Sequence, residues 1–338
     1  MNNEDTIYDV VGVGNAMVDV ISKVSDLFLT ERNLAKGTMT LTDAKTAGRI
    51  YADIIPEREV SGGAAANTVA GLASLGCDCA FIGKVYDDEL GQQFKRSIGA
   101  VGIDFDTSPL LEGPSTGRSI ILVTPDAERS MFTYLGAAKH LTIDDIDEDI
   151  IKASKYVFLE GYLFDVDESR QALFKAAEFA HKHNRTVVFT LSDYRLVEAH
   201  RRAFLSFIEE HVDILFSNER EIKTLFETDD LSTALHSVKT RVDLAAVTRH
   251  DKGSVVVSGK IRTYVEAEKT DDIIDMTGAG DLYAAGFMYG LIMGKTLGVC
   301  ALIGSMVASE VICHYGARPE ISLKGLVRKN LLQYQKKI

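Results

Sequence analysis

The amino-acid sequence predicts an α/β fold: a doubly wound, mostly parallel sheet flanked by helices, with a small β-sheet lid. The main observation is that strand-like and helix-like runs alternate along most of the 338 residues. This order is typical of parallel strands connected by helices. No Ser/Pro-rich linker or internal repeat divides the chain, so we expect one domain spanning residues 1–338. Two segments interrupt the alternation with strand-like runs and turn residues, which predicts the second, smaller sheet.

The predicted main sheet begins with a buried strand, "YDVVGVG" at 8–14. Next, "GGAAANTVAGLASLG" at 62–76 indicates a helix of small residues, closed by Gly76 because glycine readily takes the conformation that ends helices. The strand "CAFIGKV" follows it. Later strands are "YVFLEG" before helix 168–183, "TVVFTLS" before 195–209, "DILFSN" before 219–227, and "LAAVTR". Two apolar helical runs, 281–293 and 296–313, complete the pattern.

The two interrupting segments predict the lid. The first contains "GTMTLT", a helix-like stretch and "PEREV". The second, "GRSIILVTPDAERSMFTYL", reads as two strands joined by a turn that contains Pro-Asp, which is typical of a hairpin. We assign the inserts 16–60 and 113–136 to a lid over a site at the ends of the main strands. Its strands could shield the site in a monomer or pair between the subunits of a homodimer.

Composition excludes several classes of protein. The net charge of −12 argues against a general nucleic-acid-binding surface. The start of the chain lacks the basic residues and cleavage site of a signal peptide. The apolar region Ala284 to Ala308 contains Lys295 and several glycines, which favours two buried helices over a membrane span. The four cysteines lack metal-ligand spacing, as expected for buried thiols. We therefore expect a cytoplasmic protein that binds neither nucleic-acid polymers nor membranes.

Two glycine motifs resemble nucleotide-binding loops without matching them. "GVGNAM" follows a strand, but Met17 stands where the dinucleotide fingerprint has its third glycine. "GLIMGKT" has three residues between its glycines instead of the four in a P-loop, and it ends a helical run. Gly286, Gly290 and Gly294 recur every fourth residue, which favours close helix packing.

The stretch "DMTGAGDLYAAGF" (275–287) places two glycines and an acid just before a predicted helix. If the helix begins near Asp281, its free N–H groups and its dipole favour an anion at this point. Gly278 and Gly280 let backbone amides approach a phosphate closely. Asp281 is then a candidate base for phosphoryl transfer. The structural alternative is that Asp281 is only a helix N-cap.

Two more groups of polar residues support this chemistry. Asp19 follows the first strand and Asn67 lies one turn into the helix that "SGG" (61–63) opens, so the two side chains could together bind a vicinal diol. Alternatively, Asp19 is a solvated loop acid and Asn67 a packing amide. Asn218 and Glu221 follow the strand "DILFS" and could organise a metal and its waters. The alternative there is an N-cap with an acid in the first helical turn.

These motifs, in this order, resemble the ribokinase-like (PfkB-type) carbohydrate and nucleoside kinases over nearly the whole chain. The motifs that carry the resemblance are "GVGNAMVDV", "SGGAAANT", "SNERE", "VTRHDKG" and "DMTGAGDLYAAGF". The last departs from the usual family pattern at Met276 and Tyr283, but neither position is one of its glycines or the aspartate. The rival classes are a non-catalytic nucleoside-binding protein on the same fold and, more weakly, a nicotinamide-dependent oxidoreductase.

The resemblance implies transfer of the ATP γ-phosphate to a hydroxymethyl group. It makes Asp281 the base and the amides of Gly278, Ala279 and Gly280 the anion hole. It makes Asn218 and Glu221 a Mg²⁺ motif that acts mainly through water. A monovalent cation such as K⁺ is held by some family members near the segments matching 305–308 and 314–319. The residues implied to bind the nucleotide are Asn218, Thr248, Gly253, Thr277, Gly280, Ser305 and Ala308. His250 replaces a usual glycine beside them.

The acceptor is expected to be adenosine or a related purine nucleoside. "GNAMVDV", "FTLSDYRL" and "ERSMFTYLGAA" are similar to the adenosine kinase branch. That similarity implies phosphorylation of the 5′-hydroxymethyl group, and it implies that Arg129 moves toward the phosphates when the lid closes. An exposed charge beside Glu128 is the structural alternative for Arg129. The residues implied to bind the acceptor are Asn15, Met17, Asp19, Gly63, Asn67 and Leu163, with Met17 and Leu163 as walls for the base. The alternative acceptor is a sugar or sugar acid (ribose, fructose or 2-keto-3-deoxygluconate type), for which the lid side of the pocket would be more polar.

Overall fold

The computed structural model describes residues 6–126, 128–270 and 273–335. Its strands are β1 (Tyr8–Val13), β2 (Met17–Lys23), β3 (Met39–Leu41), β4 (Arg58–Gly62), β5 (Cys79–Ile82), β6 (Ile103–Asp104), β7 (Gly117–Val123), β8 (Arg129–Tyr134), β9 (Ser154–Glu160), β10 (Thr186–Thr190), β11 (Ile214–Asn218), β12 (Leu244–Thr248), β13 (Ser254–Ser258) and β14 (Ile261–Val265). The helices are α1 (Asp26–Glu31), α2 (Ala44–Ala52), α3 (Ala64–Leu75), α4 (Glu89–Ala100), α5 (Glu148–Lys152), α6 (Asp167–Lys182), α7 (Tyr194–His211), α8 (Glu219–Leu225), α9 (Leu231–Val238), α10 (Ala279–Ile292), α11 (Leu297–Val311) and α12 (Leu323–Gln335).

Nine of the described strands form the main sheet, in the order β14-β13-β12-β11-β10-β9-β1-β5-β6. In the sheet order just given, the seven neighbouring strands β12, β11, β10, β9, β1, β5 and β6 pair in parallel, whereas β13 and β14 add an antiparallel edge. The prediction of a mostly parallel sheet is therefore confirmed. The chain builds outward from β1 in both directions, so the strand order reverses there. In open α/β sheets, ligands bind beyond the carboxyl ends of the strands at such a reversal.

The main sheet separates two apolar cores. Along β1, Val10 packs into one core and Val11 and Val13 into the other, as the period of two in a strand requires. The first core contains side chains of α3, α10 and α11, and the second contains those of α6, α7, α8 and α9. The helices thus cover both faces of the sheet, which is the doubly wound arrangement.

The smaller sheet has five described strands, in the order β3-β8-β7-β2-β4. They come from the two inserts predicted to form the lid, except that β4 continues to Gly62. Strands β7 and β8 form the antiparallel hairpin expected from the Pro-Asp turn, with Ser119 opposite Thr133. The second sheet is therefore present, and its role as a lid stays a prediction, as does the choice between monomer and homodimer.

The two apolar helices near the end of the chain are α10 and α11, and they pack closely through glycines. A Cβ at Gly286 would lie 2.8 Å from the Gly304 Cα, and one at Gly290 would lie 2.8 Å from the Cys300 Cα. Gly294 is not part of this face, contrary to prediction, because α10 ends at Ile292 and Gly294 has a φ of +63°. In the part of the chain that the structure describes, no helix is long and apolar enough to cross a membrane.

Candidate active site

A cavity of about 1490 Å³ lies at the carboxyl ends of the main-sheet strands, beside the smaller sheet. Thr190, Asn218 and Thr248, the last residues of β10, β11 and β12, line one side of it. Met17 and Asp19 of β2 line another side, together with further residues of the smaller sheet. The cavity therefore occupies the position where this class of sheet binds ligands.

The structure brings nearly all of the predicted site residues to this cavity. Those that line it are Asn15, Met17, Asp19, Gly63, Asn67, Asn218, Glu221, Thr248, Gly253, Thr277, Gly278, Ala279, Gly280, Asp281, Ser305 and Ala308. Arg129 and Leu163 do not belong to its lining.

The turn before α10 has the geometry of an anion site. Gly278 is the N-cap with a φ of +77°, and the helix begins at Ala279. The prediction that the helix begins near Asp281, with Asp281 as a possible N-cap, is therefore wrong by two residues, and Asp281 is the third residue of the helix. A Cβ at Gly278 would lie 2.4 Å from the Ala317 Cβ, whereas one at Gly280 would have nothing within 4 Å. Packing thus requires glycine at 278, and at 280 the backbone faces open space.

Asp281, the candidate base, lines the cavity. Its Oδ2 accepts a hydrogen bond from Asn67 Nδ2 at 3.0 Å. Burial raises the pKa of the Asp281 carboxyl to about 6, while the Asn67 hydrogen bond and the positive charge of Arg318 act to lower it. A carboxyl with a pKa near 6 is mostly ionised at neutral pH and still accepts a proton readily.

Asp19 lies opposite on β2 and is 7% exposed, so the interpretation as a solvated loop acid is wrong. Burial raises the pKa of its carboxyl to about 7; Arg318 lowers it, and Asp281 and Asp275 raise it. The carboxylate lies against Gly62, where a Cβ would come within 2.4 Å of Oδ1. The glycine pair before α3 therefore leaves room for this acid.

Glu160, the last residue of β9, is a site residue that the sequence analysis missed. Its side chain is fully buried, and its two oxygens accept hydrogen bonds from Asn15 N and Ala65 N, both at 2.7 Å. It thereby joins the β1–β2 turn to the start of α3. Burial raises the pKa of the Glu160 carboxyl to about 7. An acid ending the apolar strand "YVFLEG" was the available signal.

Asn218 and Glu221 form a capping box at the start of α8. Asn218 N and Nδ2 donate to the two Glu221 oxygens at 2.9 and 2.6 Å, and Glu221 N donates to Asn218 Oδ1 at 2.8 Å. Burial raises the pKa of Glu221 to about 7. The structural alternative is therefore realised, and the same polar pair still faces the cavity. No group of three or more His, Cys, Asp and Glu side chains suited to a metal occurs among the described residues.

Arg129 lies outside the cavity lining and connects the smaller sheet to the turn before α10. Its Nη1 lies 2.5 Å from Asp275 Oδ1 and donates to Thr277 Oγ1. The Arg129 side chain is 18% exposed, so the interpretation as an exposed charge is wrong. Asp275 also accepts hydrogen bonds from Thr277 N at 2.6 Å and Gly316 N at 2.9 Å. The first residue of β8 is thus connected to the turn that precedes α10.

Leu163 does not form a wall of the cavity. It lies in the 3₁₀ turn Gly161–Asp165 and packs into the second core with 1% exposure. Tyr162, its neighbour, lines the cavity instead. A 3₁₀ turn directs successive side chains in different directions, and the strand-like pattern of "YVFLEG" gave no sign that it ends in one.

His250 takes a backbone conformation that glycine adopts readily and other residues rarely adopt. Its φ is +52°, in the left-handed region, and it lines the cavity next to Thr248. Gly253 has a φ of +77°, and a Cβ there would lie 2.0 Å from Val265 O. The backbone of "VTRHDKG" therefore reaches the cavity as the family pattern implies, at a cost of about 1 kcal/mol for a non-glycine residue in this region.

The side of the cavity formed by the smaller sheet and the segment after it is largely apolar. It presents Met17, Met39, Leu41, Met131 and Leu135, with Ser119, Thr40 and Thr133 between them. Flexible methionines suit a flat, apolar ligand surface. Asp19 is the charged side chain on this side of the cavity lining.

Comparisons with known proteins agree with this architecture. A family model described as pfkB family carbohydrate kinase matches residues 57–323. A curated relative, the 5-dehydro-2-deoxygluconokinase of Geobacillus kaustophilus, is 30% identical over 74% of this chain and 78% of its own. Seven further curated relatives, at 26–29% identity, carry the same name.

Solved structures include both sugar and nucleoside kinases. A probable sugar kinase from Rhizobium etli is 41% identical, with a TM-score of 0.89 over 97% of this chain and 99% of its own. The adenosine kinase of Sinorhizobium meliloti is 44% identical, with a TM-score of 0.88 over 96% of this chain and 99% of its own. A putative ribokinase II from E. coli, in complex with ATP and Mg²⁺, shares the fold at 18% identity and a TM-score of 0.81 over 97% and 100%. The chain therefore belongs to the pfkB family of carbohydrate kinases, and it is a phosphotransferase that acts on a sugar or nucleoside hydroxyl group.

Proposed function

We propose that this kinase transfers the γ-phosphate of ATP to the 5′-hydroxymethyl group of a nucleoside, adenosine or a related purine nucleoside. The observation that carries the transfer chemistry is the position of Asp281. It lies in the first turn of α10, beside the backbone amides of Gly278, Ala279 and Gly280, and it is oriented by Asn67. A base and an anion site are thus built on the same helix start.

The residues of this chain divide the reaction between them. The oxygen of the acceptor hydroxyl bonds to the γ-phosphorus while the bond from that phosphorus to the leaving ADP breaks. Asp281 accepts the proton that the hydroxyl loses. The first-turn N–H groups of α10 stabilise the negative charge on the transferred group. Asp19 and Asn67 hold two hydroxyl groups of the acceptor and so place the third beside Asp281.

Asn218 and Glu221 are the proposed magnesium motif. Their carboxylate and amide oxygens are the kind of ligand that Mg²⁺ prefers, and both residues line the cavity. The hydrogen bonds of the capping box already use these oxygens, which suits an ion that is held through its waters. When bound, Mg²⁺ would neutralise charge on the phosphate oxygens. In the absence of a three-carboxylate cluster among the described residues, we expect the ion to be held mainly through water and phosphate.

A monovalent cation such as K⁺ is a further part of the proposal, near the segments 305–308 and 314–319. Ser305 and Ala308 line the cavity from α11. Turnover in K⁺ buffer compared with a bulky organic cation tests it, and equal rates in the two buffers would exclude a requirement.

The largely apolar side of the cavity supports a nucleoside as acceptor, because a purine base needs such a surface and a free sugar acid does not. The similarity to the adenosine kinase of Sinorhizobium meliloti agrees with this choice. A sugar acid also carries a carboxylate that needs a cation. Cations in the lining include Arg195, which pairs with Asp193 with Nε 3.4 Å from Oδ1, and Lys269, so this requirement does not decide between the two acceptors.

The second candidate acceptor is a sugar or sugar acid. The curated relatives support this candidate better than a nucleoside, since those compared are named 5-dehydro-2-deoxygluconokinase. The same base and anion site would serve it, and only the contacts beyond the hydroxymethyl group would differ.

An acceptor panel decides between the two. The protein is incubated with Mg-ATP and adenosine, other nucleosides, ribose, fructose, 2-keto-3-deoxygluconate or 5-dehydro-2-deoxygluconate, and ADP release is followed. We expect the highest kcat/KM for a purine nucleoside. A higher value for a sugar acid would establish the second candidate, and tight nucleoside binding without turnover on any acceptor would indicate a non-catalytic binding protein.

A further inference from the structure

Arg318 is a buried cation beneath the proposed site, in the segment between α11 and α12. It is 8% exposed. Its Nε and Nη2 donate to Ser61 O at 2.8 and 2.6 Å, Nη2 also donates to Ser61 Oγ at 2.9 Å, and Nη1 donates to Ala66 O at 2.7 Å. One planar guanidinium thus bonds to both ends of the turn from β4 into α3.

The turn leads directly into the residues that contact Asp281. Asn67 and Thr68 are the two residues of α3 that follow Ala66. Asn67 Nδ2 donates to Asp281 Oδ2, and Thr68 Oγ1 donates to the Asp281 backbone oxygen at 3.2 Å. A displacement of the turn would therefore move Asn67 relative to Asp281.

The neighbours of Arg318 connect the same segment to the anion site. Gly316 N donates to Asp275 Oδ2 at 2.9 Å, and Ala317 is the residue that a Cβ at Gly278 would strike. Residues 316–318 therefore contact the turn before α10 on one side and the start of α3 on the other.

The charge of Arg318 also reaches the site. Its described hydrogen bonds go to neutral oxygens, so no carboxylate neutralises it directly. It lowers the pKa of both Asp19 and Asp281, against the effect of burial. The charge of ionised Asp281 raises the pKa of each of three neighbouring acids, Asp19, Glu160 and Glu221. Arg318 is thus the cation that favours ionised Asp281 within an otherwise acidic group.

We infer that Arg318 is a positioning residue for the proposed phosphoryl transfer: it fixes the β4–α3 turn, and with it Asn67, against Asp281. The inference rests on the proposed function. The Arg318 side chain contributes in two ways: its forked hydrogen bonds hold the turn, and its positive charge lies beneath Asp281.

Two substitutions separate these contributions. Arg318→Lys keeps the charge but cannot bond Ser61 and Ala66 together, so kcat/KM for the acceptor should fall roughly 100-fold, as when a catalytic group is misplaced by about 1 Å. The acid limb of its pH profile should stay in place. Arg318→Met removes the charge as well, so the acid limb should move to higher pH because ionised Asp281 loses its cation. The ATP dissociation constant, measured without acceptor, should stay unchanged in both variants.

Arg241→Lys is the matched control, since Arg241 also bonds a carbonyl, Ser237 O, but follows α9 and does not line the cavity. Circular dichroism and thermal unfolding establish that each variant is folded. A folded Arg318→Lys protein with kcat/KM within twofold of the wild type would overturn the inference about Arg318 and leave the proposed function standing. A rise in the ATP dissociation constant equal to the loss in kcat/KM would also overturn it, because the damage would then be general. A wild type without turnover on any acceptor would overturn the proposed function and the inference with it.

Discussion

Asp281 combines three properties at the scale of a single residue. It lies in the first turn of α10, it accepts a hydrogen bond from Asn67, and burial raises its pKa to about 6. The acid is therefore ionised at neutral pH yet basic enough to accept a proton from a hydroxyl group. The family implied this role from the motif alone, and the geometry supplies the physical reason.

The first prediction follows for Asp281→Asn. The amide keeps the size of the side chain but cannot accept the proton, so kcat should fall by about 10²–10⁴-fold. ATP binding should be largely unchanged, because the backbone amides of the turn remain. Steady-state kinetics and ATP titration by calorimetry measure the two effects. Near-normal turnover in this variant would refute the assignment of the base.

At the scale of secondary-structure elements, the start of α10 is built from two glycines with different roles. Gly278 takes a positive φ against Ala317, whereas Gly280 has open space beside it. Stability and activity should therefore respond differently to the same substitution at the two positions.

The second prediction compares Gly278→Ala with Gly280→Ala. Gly278→Ala should lower the free energy of unfolding by at least about 1–2 kcal/mol because of the left-handed backbone and the contact with Ala317. Gly280→Ala should leave stability unchanged or raise it by up to about 1 kcal/mol, since alanine favours a helix. Its methyl group would nevertheless enter the anion site, so activity should fall. Urea unfolding and kcat/KM measure both; full activity in Gly280→Ala would contradict the anion site.

The third prediction concerns the connection between β8 and the turn before α10. Asp275 is fully buried and receives Arg129 and two backbone N–H groups. Asp275→Asn should lower the free energy of unfolding by about 3 kcal/mol, because Arg129 would lose its buried partner. Asp106→Asn is the control, an exposed acid whose substitution should change stability by less than about 0.5 kcal/mol. Equal stability of the two variants in urea unfolding would show that the Arg129–Asp275 ion pair does not stabilise the connection between β8 and the turn before α10.

The elements that were predictable from sequence are those with a strong local period. The apolar strands, the glycine-closed helix α3 and the β7–β8 hairpin all carry such a signal. The antiparallel edge strand β14 and the helix α12 lack such a signal. In both, the alternation of apolar and charged residues is weak. Leu163 was misplaced for a related reason: periodicity does not reveal where a strand turns into a 3₁₀ segment.

At the scale of the whole molecule, the site depends on contacts between distant parts of the chain. Arg318 and Ser61 are 257 positions apart, and Arg129 and Thr277 are 148 apart. A single sequence contains no local pattern for such pairs, so the motifs identified candidate residues of the cavity lining but not the contacts that hold them in place. Glu160 belongs to the same group, since it joins Asn15 and Ala65 across the sheet.

Buried acids also give the folded protein a characteristic pH dependence. The pKa values of Asp19 and Glu160 are each raised to about 7, chiefly by burial. In the unfolded chain these carboxyl groups lose their protons near pH 4. Between about pH 4 and pH 7 the folded state therefore binds more protons, and its stability falls as pH rises through this window.

The fourth prediction is that the ligand-free protein is more stable in urea at about pH 5.5 than at about pH 8, because buried carboxyl groups must ionise at the higher pH. Acids with lowered pKa values, such as Glu148 and Glu219, do not oppose this trend, since their contribution is lost only below their ordinary pKa values. Asp19→Asn replaces one of the responsible groups with a side chain that does not titrate, so the difference between the two pH values should shrink. Stability that rises from about pH 5.5 to about pH 8, or a slope that Asp19→Asn leaves unchanged, would show that these acids are ionised in the folded protein without cost.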